Sequence, residues 1–163
     1  MLAFHRLEGY NGTNMRRAVR AIVIKDGNLL VMHRNKFGHE YFTLVGGVIK
    51  IGETAEQALV RELLEETGIT IAQPHLVIVE EAGDLFGTQY VYLCDYAGGG
   101  EPALSPHSEE AKISAMGKNI YTPMWMPLSE LGKMPFRSQQ LMELLQKSLR
   151  DGFSREPVQI HSA

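Results

Sequence analysis

The segment TAEQALVRELLEETG, residues 54–68, constrains this chain more than any other, because it specifies a helix from cap to cap. Thr54 followed by Gln57 is a T-x-x-Q capping box, in which threonine oxygen and glutamine side chain each satisfy an amide at the helix start. Gly68 supplies a stop where a left-handed backbone is cheap. At ~100° per residue, Ala55, Leu59, Val60, Leu63 and Leu64 gather on one broad apolar face. Strand-like segments precede and follow this helix, and a second helical pattern lies near the C-terminus, so the fold class is α/β (α+β), with a sheet between helices.

Three carboxylates sit awkwardly against that face. Glu62, Glu65 and Glu66 share an arc of about 100° beside it, and Glu66 projects between Ala55 and Leu59. Glu62 and Glu66 are like charges at i,i+4, which costs a few tenths of a kcal/mol even on an exposed helix. A carboxylate inside the apolar sector needs a cation or several donors. Arg61 reaches Glu65 at i,i+4 but cannot neutralise three acids. A solvated acidic face is the plainer reading, and it leaves the position of Glu66 unexplained. Hard oxygen donors with no His or Cys in the helix suit Mg2+, with Mn2+ as a substitute. A water on such an ion, deprotonated by a carboxylate, becomes a nucleophile. The ion also offsets the charge of an anionic substrate, which a chain of net charge −3 would otherwise repel.

Gly46 and Gly47 lie between a strand pattern, YFTLV, and the loop VIKIGE. Small residues there allow a tight turn and close backbone approach to an ion or phosphate. Taken together, the 24 residues from Gly46 to Ile69 resemble the Nudix box, GX5EX7REUXEEXGU, with U a bulky aliphatic residue. Gly47, Glu53, Arg61, Glu62, Leu63, Glu65, Glu66, Gly68 and Ile69 meet it, and no fixed position is missed. Seven of these positions demand one residue type, so a window matches by accident about once in 10^8.

The resemblance implies a Nudix-like α/β/α sandwich with a mixed central sheet. The implied activity is metal-dependent hydrolysis of the pyrophosphate bond in a nucleoside diphosphate linked to another moiety: a nucleotide, a nucleotide-sugar or a dinucleotide. Glu62, Glu65 and Glu66 carry over as metal ligands, with Glu62 also a candidate base. The Gly46 carbonyl carries over to the metal shell, and Glu53 and Arg61 carry over as an orienting pair. Relatives often add an acid from a later loop. Glu109 and Glu110 are the first candidates for it, Glu80 and Glu81 the second. Val45 and Lys50 stand where many relatives have a proline and an acid, departures expected to alter loop stiffness rather than metal chemistry.

At 163 residues, 44% hydrophobic and 21% charged, the chain suits one globular domain. That domain is expected over residues 16–152, after a loose lead-in at 1–15 and before a frayed tail at 153–163. The single cysteine, Cys94, excludes an internal disulfide and fits a reducing compartment. No run approaches membrane-spanning length, so the expectation is a cytoplasmic protein. RRAVRAIVI and NLLVMHR read as a hairpin around DGN, and HLVIVEEAG and TQYVYLCDY as two further strands. GGGEPALSPHSEE reads as loop throughout, MWMP as a short strand, and FRSQQLMELLQKSLR as the final helix.

Substrate contacts must come from outside the box. Arg34, with His33 and Lys36 beside it, is placed to meet phosphates. Tyr41, Phe42 and Phe86 are the stacking candidates, ahead of Tyr90 and Trp125. The six histidines show no zinc spacing. Subfamily signatures disagree: Leu85 stands where a proline favours ADP-ribose, and Phe86 near where a tyrosine favours dinucleoside polyphosphates. Two alternatives stay open beside the first reading, a sanitising hydrolase for oxidised or non-standard nucleoside triphosphates and a non-catalytic nucleotide sensor. The acidic balance and lack of a basic stripe argue against nucleic acid as a partner, and a homodimer is compatible with the sequence.

Overall fold

The computed structural model describes residues 16–162. The lead-in expected at 1–15 lies outside the described residues. Strands β1 (Arg17–Lys25) and β2 (Asn28–Lys36) form the expected hairpin. Its two-residue turn, Asp26-Gly27, has both φ angles positive, 50° and 76°, as a right-twisted hairpin requires. A second tight turn at Phe37-Gly38 leads into β3 (His39–Val48). The first half of β3 pairs with β2 and the second half with β1, which delivers Gly46 and Gly47 to the sheet interior.

After α1 (Ala55–Thr67) come β4 (Thr70–Glu81), the single turn α2 (Gly83–Phe86) and β5 (Thr88–Gly98). Helix α3 (Glu109–Ala115), β6 (Asn119–Pro127), α4 (Gln139–Asp151) and β7 (Val158–His161) complete the chain. Among the described residues the strands form one seven-stranded mixed sheet in the order β6-β2-β3-β1-β5-β4-β7. The β1–β5 and β4–β7 pairs are parallel and the rest antiparallel.

Two apolar layers flank the sheet. On one face Leu59 and Leu63 of α1 pack against Val19, Leu30, Val45 and Tyr92. On the other, Leu141, Met142 and Leu145 of α4 pack against Ile22, Val31, Leu44 and Val91. The result is an α/β/α sandwich. Cys94 is buried in β5, where burial pushes its thiol up to about 12. Among the described residues no helix is long and apolar enough to cross a membrane.

Three sequence expectations need correction. The segment read as loop up to Glu110 ends in the first turn of α3, capped by the Ser108 side chain, which accepts from the Ala111 amide. The short MWMP strand is the end of a nine-residue edge strand. The segment expected as a frayed tail carries β7, which pairs with β4 from Ile78↔Val158 to Glu81↔His161.

Candidate active site

Helix α1 begins and ends as its sequence specifies. Thr54 Oγ1 accepts from the Gln57 amide at 3.1 Å, and Gln57 Oε1 from the Thr54 amide at 2.9 Å. Gly68 takes φ 72°, and its amide reaches the Leu64 carbonyl. Its buried face is rotated from the one expected. Val60 and Leu64 are each 44% exposed, whereas Glu62 and Glu66 are only 7% and 5% exposed. The carboxylates therefore lie between helix and sheet.

The glycine pair makes room for them. The Gly46 carbonyl, which the resemblance carried over to the metal shell, accepts instead from Arg20 Nη1 at 3.3 Å, and it is the Gly46 amide that meets the acids, donating to Glu66 Oε2 at 3.2 Å. A Cβ on Gly46 would meet the Val19 carbonyl oxygen at 1.9 Å, so strand contact alone forbids a side chain there. A Cβ on Gly47 would fall 2.4 Å from Glu62 Oε1. Gly47 thus occupies the position from which any other residue would displace that carboxylate.

The third acid arrives from α3. Two backbone amides in the preceding loop bind carbonyls at the end of α1, Ala103 to Thr67 at 3.1 Å and Ser105 to Glu65 at 2.7 Å. Those carbonyls lack partners within the helix, so the loop satisfies them and is fastened by them. Ser108 Oγ then donates to the Ser105 carbonyl at 2.8 Å while capping α3. Glu110 follows in the first turn. Glu62, Glu66 and Glu110 each bring a carboxylate oxygen within 4.8 Å of the others.

Burial and like charge govern the electrostatics of this cluster. Burial, reinforced by neighbouring Glu62, pushes the Glu66 carboxyl up to about 8. Burial also raises Glu62, against the opposing hydrogen bond from Arg61. Three hard oxygen donors in a partly desolvated corner fit a divalent cation of the Mg2+ type.

Arg61 organises the other side. Its Nε and Nη2 grip the two Glu53 oxygens at 2.7 and 2.8 Å, and Nη1 donates to Glu62 Oε1 at 2.9 Å. Glu53 also accepts from the Lys50 amide at 2.8 Å, which ties the glycine loop to the helix. The Arg61 bonds hold Glu53 below the usual carboxylate range. Glu65, named with the ligands, turns instead to Arg61 Nη1 at 3.3 Å and is not in the three-acid group.

The remaining acidic candidates lie outside the three-acid group. Glu80, fully buried on the α4 side, accepts from Ser138 Oγ, from Ser162 Oγ at 2.9 Å and from Arg137 Nη2 at 3.2 Å. Glu81 accepts from Thr88 Oγ1 at 2.9 Å. Glu109 is outside the three-acid group.

The substrate candidates divide between the two faces. Arg34, Tyr41 and Tyr121 align across three strands, in register as Arg34↔Tyr41 and Arg34↔Tyr121. The Arg34 guanidinium lies 3.6 Å from the Tyr121 ring centre and 5.7 Å from that of Tyr41, and Nη2 donates to Asn119 Oδ1 at 2.7 Å. Alternation along β2 puts Arg34 with Leu30 and Met32, on the α1 face. The Tyr121 amide donates to Ser114 Oγ of α3 at 2.9 Å, so this corner adjoins the helix that carries Glu110. Phe42, expected to stack on a base, packs on the opposite face against Phe136 and His33, in the core beneath α4. Phe86 lies under the Arg137 guanidinium at 4.4 Å, beside the Glu80 network. Tyr121 was missed because one tyrosine in an edge strand carries no signal of its neighbours.

A NUDIX domain model matches residues 14–145. The chain belongs to the Nudix hydrolase family. It is 35% identical over 71 residues to an NAD-capped RNA hydrolase NudC of Pectobacterium atrosepticum, covering 44% of this chain and 27% of that protein. It is 45% identical over 53 residues to an ADP-ribose pyrophosphatase of Methanocaldococcus jannaschii, covering 32% and 31%. The matches thus span about a third or less of these relatives' own length. A NUDIX hydrolase crystal structure from Nitrosomonas europaea superposes with a TM-score of 0.67 at 16% identity, covering 92% of this chain and 80% of the other, a likeness of fold. Of the three grouped acids, Glu62 and Glu66 lie in the box segment and Glu110 lies outside it.

Proposed function

We propose that this Nudix domain hydrolyses the pyrophosphate bond of a nucleoside diphosphate linked to another moiety, with Mg2+ held by Glu62, Glu66 and Glu110. The observation that carries this reading is the approach of Glu110 to two buried helix carboxylates, within 4.8 Å. Two chain segments distant in sequence converge on what is, without a cation, a repulsive arrangement. The bound ion would supply charge neutralisation at the diphosphate and acidify a water.

The chain's own groups do the positioning. Gly46 holds Glu66 through its amide, and Arg61 holds Glu62 while it is itself held by Glu53. Glu62, oriented by its hydrogen bond from Arg61, is the group assigned to take the proton of the attacking water. Arg34, Tyr41 and Tyr121 present one guanidinium and two rings beside the carboxylates, a surface suited to a base or ribose. An intact acidic cluster argues against a sensor without catalysis.

The test is phosphate release, coupled to a phosphatase, over a panel led by ADP-ribose and NAD. It continues through nucleotide-sugars, dinucleoside polyphosphates, coenzyme A, and normal and oxidised nucleoside triphosphates. Turnover of one diphosphate-linked compound with Mg2+ supports the proposal and names the leaving group. Turnover confined to oxidised triphosphates would replace it with the sanitising reading.

A further inference from the structure

Arg20 is a charged residue in the middle of an otherwise apolar strand, and neither the box nor the acid from α3 involves it directly. It pairs in register with Gly46 across the β1–β3 junction. Alternation puts its side chain with Ile22 on the α4 face, opposite the carboxylates. From there Nη1 donates to two alternate carbonyls of β3, Leu44 at 3.2 Å and Gly46 at 3.3 Å. Nε donates to Gln89 Oε1 at 2.9 Å. Gln89 is itself fully buried, and its side-chain amide donates to the Phe86 carbonyl.

These bonds fall where the sheet changes partner. Leu44 is the last β3 residue paired with β2, at Val31↔Leu44, and Val45 is already paired with Ala21 of β1. The guanidinium therefore bridges carbonyls on either side of the switch. Packing alone would favour an apolar residue here, since a buried charge is costly unless its donors are used. The Gly46 backbone is then held on both sides of its Cα: its carbonyl accepts from Arg20, and its amide donates to Glu66.

We propose that Arg20, braced by Gln89, is a positioning residue for the Nudix metal site, holding the Leu44 and Gly46 carbonyls on either side of the Val45–Gly46 peptide so that the Gly46 amide stays aimed at the Glu66 carboxylate. This rests on the metal-site reading above. Groups that orient metal ligands from behind typically contribute 10–100-fold to metal affinity or activity, and Arg20 would act so through a backbone amide.

The experiment compares Arg20→Met, Arg20→Lys, Gln89→Met and Glu66→Gln with wild type. The readouts are Mn2+ affinity by electron paramagnetic resonance and hydrogen exchange of the Gly46 amide in metal-free protein. Arg20→Met should weaken Mn2+ binding about 10–100-fold and speed Gly46 exchange, while KM for the best panel substrate stays near wild type. Arg20→Lys, which keeps the charge and can reach one carbonyl, should recover part of the loss. Gln89→Met should shift both readouts the same way by less. A merely structural role would lower the melting temperature and leave the Mn2+ affinity of the folded protein unchanged. Wild-type affinity and Gly46 exchange in folded Arg20→Met would overturn the proposal. If that variant does not fold, wild-type values in both Arg20→Lys and Gln89→Met would do so. Unchanged Mn2+ binding in Glu66→Gln would overturn the metal-site reading and this proposal with it, a pattern distinct from failure at Arg20 alone.

Discussion

Gly47 and Glu62 are so close that a Cβ on the glycine would lie 2.4 Å from the carboxylate oxygen. The atom in the way is the far end of a flexible side chain, so Gly47→Ala can be accommodated by swinging Glu62 aside. The expected result is a near-neutral melting temperature with kcat reduced about 100-fold, the scale of an ångström-sized misplacement. Comparable loss of stability and activity would point instead to a backbone role.

Glu66 gives a stability effect with a definite sign. Its folded-state value, about 8, lies above its ordinary 4.5. The native state therefore binds this proton more tightly, and the associated stability is fully present below 4.5 and is lost as pH rises through about 8. Glu66→Gln cannot ionise and escapes that loss. In metal-free protein the variant should match wild type near pH 4.5 and melt higher at pH 9, as thermal unfolding at both pH values will show. Mg2+ should reverse the order at pH 9 by stabilising wild type alone.

Glu109 and Glu110 are adjacent in sequence and expected to differ in effect. Glu110 joins Glu62 and Glu66, and Glu109 does not. Glu110→Gln should lower kcat and Mg2+ affinity by at least about tenfold, with Glu109→Gln near wild type. Side-by-side Mg2+ titrations of activity check this.

Glu80→Ala should do the reverse. It leaves Arg137 without its carboxylate partner and Ser138 and Ser162 without a shared acceptor. Breaking a buried pair from one side costs about 3–5 kcal/mol. Denaturant melts should show the loss, while the Mn2+ affinity of the folded fraction stays at the wild-type value.

What the sequence made legible was local. The caps of α1, the DG hairpin and the burial of Glu66 all follow from residues within a few positions of one another. The rotation of α1 was not legible, because Val60 and Leu64 are as apolar as Leu59 and Leu63, and only the packed sheet selects which pair is covered. Phe42 and Tyr41 pose the same problem in β3: in a strand covered on both faces, alternation does not say which side faces α1. The choice of Glu110 over Glu109, Glu80 and Glu81 depended on two amides that fasten a distant loop to the end of α1. Strand β7 was hidden because four residues in parallel pairing carry meaning only beside their partner.

The central claim is that Glu62, Glu66 and Glu110 hold the ion on which hydrolysis depends. The most direct measurement is Mg2+-dependent phosphate release over the nucleotide panel, by wild type and Glu66→Gln in parallel. Wild type should turn over one diphosphate-linked substrate well, with that turnover abolished by chelation and reduced at least about 100-fold in the variant. Equal turnover by both proteins, or turnover unaffected by chelation, would contradict it.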